Sequence, residues 1–114
     1  ILTNGKVYYD LLKFRKENKI VNTAIVRLEQ FYPYPSKKIQ KIISSYTSIK
    51  KLKWVQEEPK NMGAWNFLSN RLVKDLPKNC ELDYSGRPES ASPAVGSYLI
   101  SMQQQTKLLK DAFK

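Results

Sequence analysis

The chain predicts an α/β fold: three layers, α/β/α, built on a mostly parallel open sheet of four to five strands. Three observations lead there. Short apolar or β-branched runs at 1–3, 23–28, 50–56 and 81–84 alternate with four stretches whose apolar residues recur at helical spacing. Strands separated by helices pair in parallel, because each crossover needs a helix-length connection. The 114 residues are 41% apolar, enough for one core, and no internal repeat or long linker divides them, so the expectation is a single domain over 1–114.

Each element has its own warrant. Ile1-Leu2-Thr3 reads as the stub of a buried strand, and a start at Ile1 inside an apolar run suggests a fragment of a larger protein whose first strand has lost its beginning. Asn4-Gly5 signals a turn. Val7, Tyr8, Leu11, Leu12 and Phe14 then follow a helical period, which Asn18-Lys19 ends. Thr23 to Leu28 reads as a central strand, and Pro33 and Pro35 forbid its continuation. Ser36 fits a helix N-cap, with Ile39, Ile42, Ile43 and Tyr46 on the inner face. Lys50 to Gln56 alternates lysine with Leu52, Trp54 and Gln56, the pattern of an edge strand with one wet face. Asn61 is placed to cap a third helix that buries Ala64, Trp65, Leu68 and Leu72 and stops at Leu76-Pro77. Glu81 to Tyr84 is the fourth strand. Ser92-Pro93 signals the start of a last helix, with Val95, Leu99, Met102, Leu109 and Phe113 inward and Gln103 to Gln105 on a polar surface.

Composition excludes several functions. No run of 18 apolar residues could span a membrane, and no signal peptide is visible. Cys80 is the only cysteine and histidine is absent, so an internal disulfide, a multi-cysteine metal site and a histidine base are all ruled out for these residues. No catalytic residue, cofactor site or metal site is assigned to them. The net charge is +10, mostly from lysine; a free-standing basic module that binds nucleic acid is the competing class, but no recognition motif accompanies the charge. Weak attraction to acidic partners follows from charge alone.

The polar features share one geometric property. Asn4 and Lys6, Glu29 and Gln30, Gln56 to Glu58, and Ser85 to Arg87 each follow a strand. In a parallel sheet those tips lie on one edge, where open α/β sheets build sites. The candidate effector or interface residues are therefore Lys6, Arg27, Gln56, Glu57, Glu58, Asn61 and Arg87. Arg87, held between Gly86 and Pro88, suits a phosphate or carboxylate; the alternative is a structural ion pair with Glu57, Glu58 or Glu29. Arg27, in an apolar strand, needs a carboxylate partner, expected within the parent protein. Lys6, near a helix start, is either an anion contact or a solvated lysine. Phe31, Tyr32 and Tyr34, stiffened by Pro33 and Pro35, suit a subunit contact or packing over the second helix.

Four stretches carry a resemblance. Gln56-Glu57-Glu58-Pro59 with Asn61 and Gly63-Ala64-Trp65 resembles QEEP-x-N-x-GAW. Asn4 to Leu11 resembles SGKVYYDL, Ala24 to Pro33 resembles AIVRIEQLYP, and Tyr84 to Ala94 resembles YAGRPASASPA. All belong to the carboxyl-terminal domain of the decarboxylating, thiamine-diphosphate-dependent component of 2-oxoglutarate dehydrogenase, and the resemblance runs through the whole chain in order. Asn4 stands where serine is usual, and Met62 where glutamine is. The resemblance implies a fold like the transketolase carboxyl-terminal domain, with an added or antiparallel edge strand allowed. It also implies a homodimeric parent that uses thiamine diphosphate and magnesium, decarboxylates 2-oxoglutarate in the tricarboxylic acid cycle and passes the succinyl group to lipoyl groups of the succinyltransferase component. This domain's implied role there is structural and regulatory, against the preceding domains, the dimer partner and a nucleotide or acyl-coenzyme A effector. A sister 2-oxoadipate enzyme would read the same way. The wording and the lysine content suggest a bacterial cytoplasm, with a mitochondrial matrix as the alternative.

Overall fold

The computed structural model describes residues 1–91 and 96–114. Strands and helices alternate as β1 (Leu2–Thr3), α1 (Val7–Glu17), β2 (Val26–Arg27), α2 (Ser36–Ser44), β3 (Lys51–Pro59), α3 (Trp65–Asp75), β4 (Glu81–Arg87) and α4 (Tyr98–Ala112). The four strands form one sheet in the order β2-β1-β3-β4, and every pair is parallel. No antiparallel strand joins it among the described residues. Leu2 lies between Val26 and Trp54 in register. The chain steps from β1 out to β2, then returns past β1 to β3. Right-handed crossovers in opposite directions place their helices on opposite faces. Accordingly α2 and α3 cover one face, over Leu2, Ile39, Ile43, Trp54, Leu68 and Leu72. α1 and α4 cover the other, over Val7, Leu11, Val55, Leu108 and Ala112. Each large apolar side chain so buried contributes about 1.5–3 kcal/mol.

The order corrects two expectations. Thr23 to Leu28 is not central: among the described residues only Val26 and Arg27 pair, and only with β1, so β2 is an edge. Its apolar wording comes from packing Val26 and Leu28 on the α2–α3 core. The lysine-rich segment is not an edge: β3 pairs on both sides, and Leu52 to Gln56 are buried throughout. The alternation misleads at Lys53, whose side chain is 7% exposed. Its ammonium donates to the Asp111 carbonyl at 2.6 Å and lies 3.5 Å from the Asp83 carboxylate, so a distant helix end and a neighbouring strand carry the charge. β4 also runs further than expected, to Arg87.

Three further departures concern the helices. Ser36 is the first residue of α2 and not its cap; its hydroxyl donates to Asp75 at the end of α3, which also accepts from Tyr34 Oη and Gln40 Nε2. Tyr46 lies beyond α2 and is exposed. The expected Ser92-Pro93 start and Val95 lie outside the described residues. α4 as described is capped by Ser97, whose hydroxyl accepts from the Ile100 N–H. Only its C-terminal half packs: Leu108 and Ala112 are buried, with Leu109 and Phe113 against them, while Leu99 and Met102 are exposed.

Candidate functional site

Because every strand points the same way, the four carboxyl ends share a rim, and the contacts across it join the expected residues. The Gly5 N–H donates to Glu29 Oε1 at 3.1 Å, linking the β1 and β2 tips. Lys6 Nζ lies 2.9 Å from Glu57 Oε2, linking the start of α1 to the β3 tip. The hydrogen bond to Glu57 is the main reason the Lys6 ammonium titrates above its usual range. The Lys60 N–H donates to the Arg87 carbonyl at 3.0 Å, joining β3 to β4. Since β1 connects to β2 on one side and lies beside β3 on the other, the gap between β1 and β3 is the topological switch point of this sheet, where open α/β folds form their crevice.

Gln56 is the keystone of the β3 tip. Val55 pairs with Ser85 but Pro59 pairs with Arg87, so Gln56, Glu57 and Glu58 bulge opposite Gly86. The Gln56 side chain is fully buried and its amide is saturated. Oε1 accepts from Trp54 Nε1 at 2.8 Å and the Trp65 N–H at 3.1 Å, and Nε2 donates to the Pro59 and Met62 carbonyls at 3.0 and 2.8 Å. It therefore holds the strand end, the following turn and the start of α3 together. The turn needs glycine at Gly63, where φ is +67° and an added Cβ would stand 2.9 Å from Glu58 Oε2. An added Cβ at Gly86 would collide with the Tyr84 ring and stand 2.9 Å from the Gln56 carbonyl. Burial pushes the Tyr84 phenol up to about 12.

Asn61 caps no helix. Its side chain reads the backbone of Ser90 in both directions, donating to the carbonyl at 2.9 Å and accepting from the N–H at 3.0 Å. It thus fastens the segment after β4 to the turn after β3. Arg27 is exposed on β2 and finds its carboxylate two residues on: Nε donates to Glu29, and Nη1 donates to Tyr9 Oη at 3.0 Å. The hydrogen bond from Arg27, followed by that from Gly5, holds the Glu29 carboxyl below its usual range.

Arg87 corrects the expected ion pair. Its guanidinium makes no salt bridge among the described residues. Nη1 donates to Ser101 Oγ at 3.3 Å and Gln104 Oε1 at 3.2 Å, and Nη2 donates to Gln105 Oε1 at 3.0 Å. Gln105 in turn donates to Asp10 Oδ2 on α1 at 3.3 Å. Neutral acceptors fix the fork without cancelling its charge. Gln103 to Gln105 read in the sequence as polar surface; the signal for the role of Gln104 and Gln105 was a run of amide side chains on a helix that follows the Arg87 loop.

An open depression of about 260 Å³ occupies the switch point, lined by Asn4, Phe31, Tyr32, Glu58, Gly63, Ala64 and Phe67. Glu57 and Glu58 therefore part company, one toward Lys6 and the other into this depression. Phe31 packs edge-on to Trp54 at 5.9 Å, while Tyr32 is 82% exposed. Among the described residues, no group of three or more His, Cys, Asp or Glu could hold a metal ion, and no helix is long and apolar enough to cross a membrane.

Residues 1–113 match the family described as 2-oxoglutarate dehydrogenase C-terminal. The chain belongs to that family. It is 44% identical over 113 residues to the 2-oxoglutarate dehydrogenase E1 component of Cupriavidus necator, covering 99% of this chain and 12% of that protein. It is 49% identical over 115 residues to the E1 component of Rickettsia felis, covering 98% of this chain and 12% of the relative. It is 47% identical over 112 residues to the oxoglutarate dehydrogenase of Buchnera aphidicola, again 98% of this chain and 12% of the relative. The chain thus spans about an eighth of the length of the relatives it matches.

Proposed function

We propose that this chain is the carboxyl-terminal domain of a 2-oxoglutarate dehydrogenase E1 component, serving as scaffold and regulatory surface in an enzyme of the bacterial cytoplasm. The carrying observation is the family match over residues 1–113. The parent would decarboxylate 2-oxoglutarate and feed the succinyltransferase component, working as a homodimer. When bound elsewhere in the parent, thiamine diphosphate would supply the electron sink for decarboxylation and magnesium would hold its diphosphate. The donor set here does not suit magnesium, since no three candidate ligands converge among the described residues. No step of the reaction is assigned to these side chains.

The regulatory part rests on Arg87 and Lys6. Arg87 has a full charge, a fixed fork and, among the described residues, only neutral partners, the state in which a guanidinium can receive a phosphate without first breaking an ion pair. Lys6 is exposed beside it and shares the rim; Arg27 stands further along, already joined to Glu29. An anionic effector such as a nucleotide or acyl-coenzyme A would meet these cations. In the full-length enzyme, Arg87→Gln should leave turnover without effector near the wild-type rate and abolish the response to added effector. An unchanged response in that variant contradicts the assignment. Decarboxylase activity or tight thiamine diphosphate binding by residues 1–114 alone, read by calorimetry, contradicts the scaffold role.

A further inference from the structure

We propose that the depression between the β1 and β3 tips is a binding site for a guanidinium group, with Glu58 as its counter-charge and Tyr32 and Phe67 as its aromatic walls. This site faces the α3 side of the sheet and takes the opposite charge to the Arg87 rim, so it stands whether or not an anionic effector binds there.

Three observations combine. The first is an unanswered charge. In a chain with 20 basic and 10 acidic side chains, a half-buried carboxylate should be the first to find a partner. Yet the Glu58 carboxylate has neither an ion pair nor a hydrogen bond among the described residues, its backbone carbonyl alone accepting from Gln56 Nε2, although the residue lines the depression. The nearby cations are committed elsewhere. Lys6 is paired with Glu57, Lys60 lies 5.3 Å from the centre of the Tyr84 ring, and Arg71 donates to the Phe67 carbonyl.

The second is the wall chemistry. Phe31, Tyr32 and Phe67 present aromatic carbon around that carboxylate, and Asn4 adds one carboxamide. An anion would be repelled by Glu58. A neutral ring would cover a carboxylate without answering it. A divalent metal would demand more oxygen ligands than one carboxylate and one amide supply. A planar cation satisfies both parts, since its faces lie on aromatic rings and its edge forks onto a carboxylate. Arg71 already stacks its guanidinium 3.9 Å from the centre of the Phe67 ring, so this chain makes the same contact just outside the depression.

The third is fit. The volume of about 260 Å³ accommodates the end of an arginine side chain. Gly63 lines it without a side chain: an added Cβ would stand 2.9 Å from Glu58 Oε2, so the carboxylate would have to shift.

The guanidinium can come from an arginine outside these residues, delivered by the remainder of a longer polypeptide, or from a free small molecule. Two arms separate the sources in the full-length protein. The first is a structure of the wild type; a protein arginine within 4 Å of Glu58 and against Tyr32 supports the site and names the source. The second applies if the depression is open. Calorimetry then compares N-acetyl-arginine amide with N-acetyl-citrulline amide, its neutral near-isostere. Preference for arginine by about tenfold or more supports the site, as does its loss in Glu58→Gln and a several-fold weakening in Tyr32→Ala. Tyr32 is exposed, so that second variant removes a wall without opening the core. A depression filled by an apolar side chain, or an open one that binds both probes equally, overturns the proposal.

Discussion

Replacing Gln56 by glutamate tests the keystone with a change of almost no volume. The Nε2 position faces the carbonyls of Pro59 and Met62 at 3.0 and 2.8 Å and that of Glu58 at 3.2 Å. A carboxylate oxygen there would meet three acceptors and no donor, in a fully buried site. The new side chain should therefore fold in its protonated form, with its O–H donated to one carbonyl and its other oxygen still accepting from Trp54 and Trp65. A buried carboxyl of this kind titrates some 2–3 units above the unfolded value of about 4.3, which is a loss of about 3–4 kcal/mol once the solution is alkaline of the folded pKa. The sign follows from proton binding. The folded state holds the proton that the unfolded state has released, so stability falls as pH rises from about 4.3 to about 7 and then levels off. Gln56→Leu provides the pH-independent reference. It orphans two buried donors, Trp54 Nε1 and the Trp65 N–H, at about 1–3 kcal/mol each, and should be destabilised by about 3–5 kcal/mol at every pH. Urea denaturation followed by far-ultraviolet circular dichroism at pH 5 and pH 8 reads both variants. A Gln56→Glu variant equally stable at the two pH values, or within 1 kcal/mol of wild type at pH 8, would refute the keystone argument.

Other outcomes follow from the same contacts. Gly63→Ala should cost about 1–3 kcal/mol, because φ is +67° and the new methyl meets Glu58 and Gln56; thermal unfolding should shift down by several degrees. Asp75→Ala removes the acceptor shared by Tyr34, Ser36 and Gln40 and should loosen α2 from α3 by about 2–3 kcal/mol, seen as faster hydrogen exchange in both helices. Burial raises the Tyr84 phenol to about 12, so its contribution is complete below about pH 10 and is lost between about 10 and 12 as the unfolded state sheds the proton first. Tyr84→Phe should flatten that alkaline slope, and an unchanged slope would refute the assignment.

The order and parallel sense of the elements were legible in the sequence, since the alternation of strand and helix constrains pairing before any contact is known. The shared rim followed from that topology, and the Glu29–Gly5 and Lys6–Glu57 contacts bear it out. Lateral strand order was not legible. β2 looked interior because Val26 and Leu28 serve the core, and β3 looked wet because a lysine alternation does not reveal that Lys53 is answered 58 residues away by the end of α4. Individual roles were harder still. Gln56 stood out beside two glutamates, yet its amide turned out to be wholly spent on backbone and indole groups. Arg87 looked like an ion-pair member because the local sequence offers carboxylates, whereas its fork is held by Gln104, Gln105 and Ser101 from a helix whose packed half the apolar pattern had misplaced. Phe67 gave no signal, and Gly63 stood out only as part of a motif, since their part in the depression exists only where two strand tips and a helix start meet.

Gln105 stands between a cation and an anion, with its oxygen toward Arg87 and its nitrogen toward Asp10. Such an amide has one admissible orientation, because rotating it by half a turn would set like against like at both ends. No singly charged residue can take its place: glutamate would suit the arginine and oppose the aspartate, and lysine would do the reverse. The polarity of that one side chain thus couples β4 to the first turn of α1, and either terminal charge alone is enough to hold the amide in that sense.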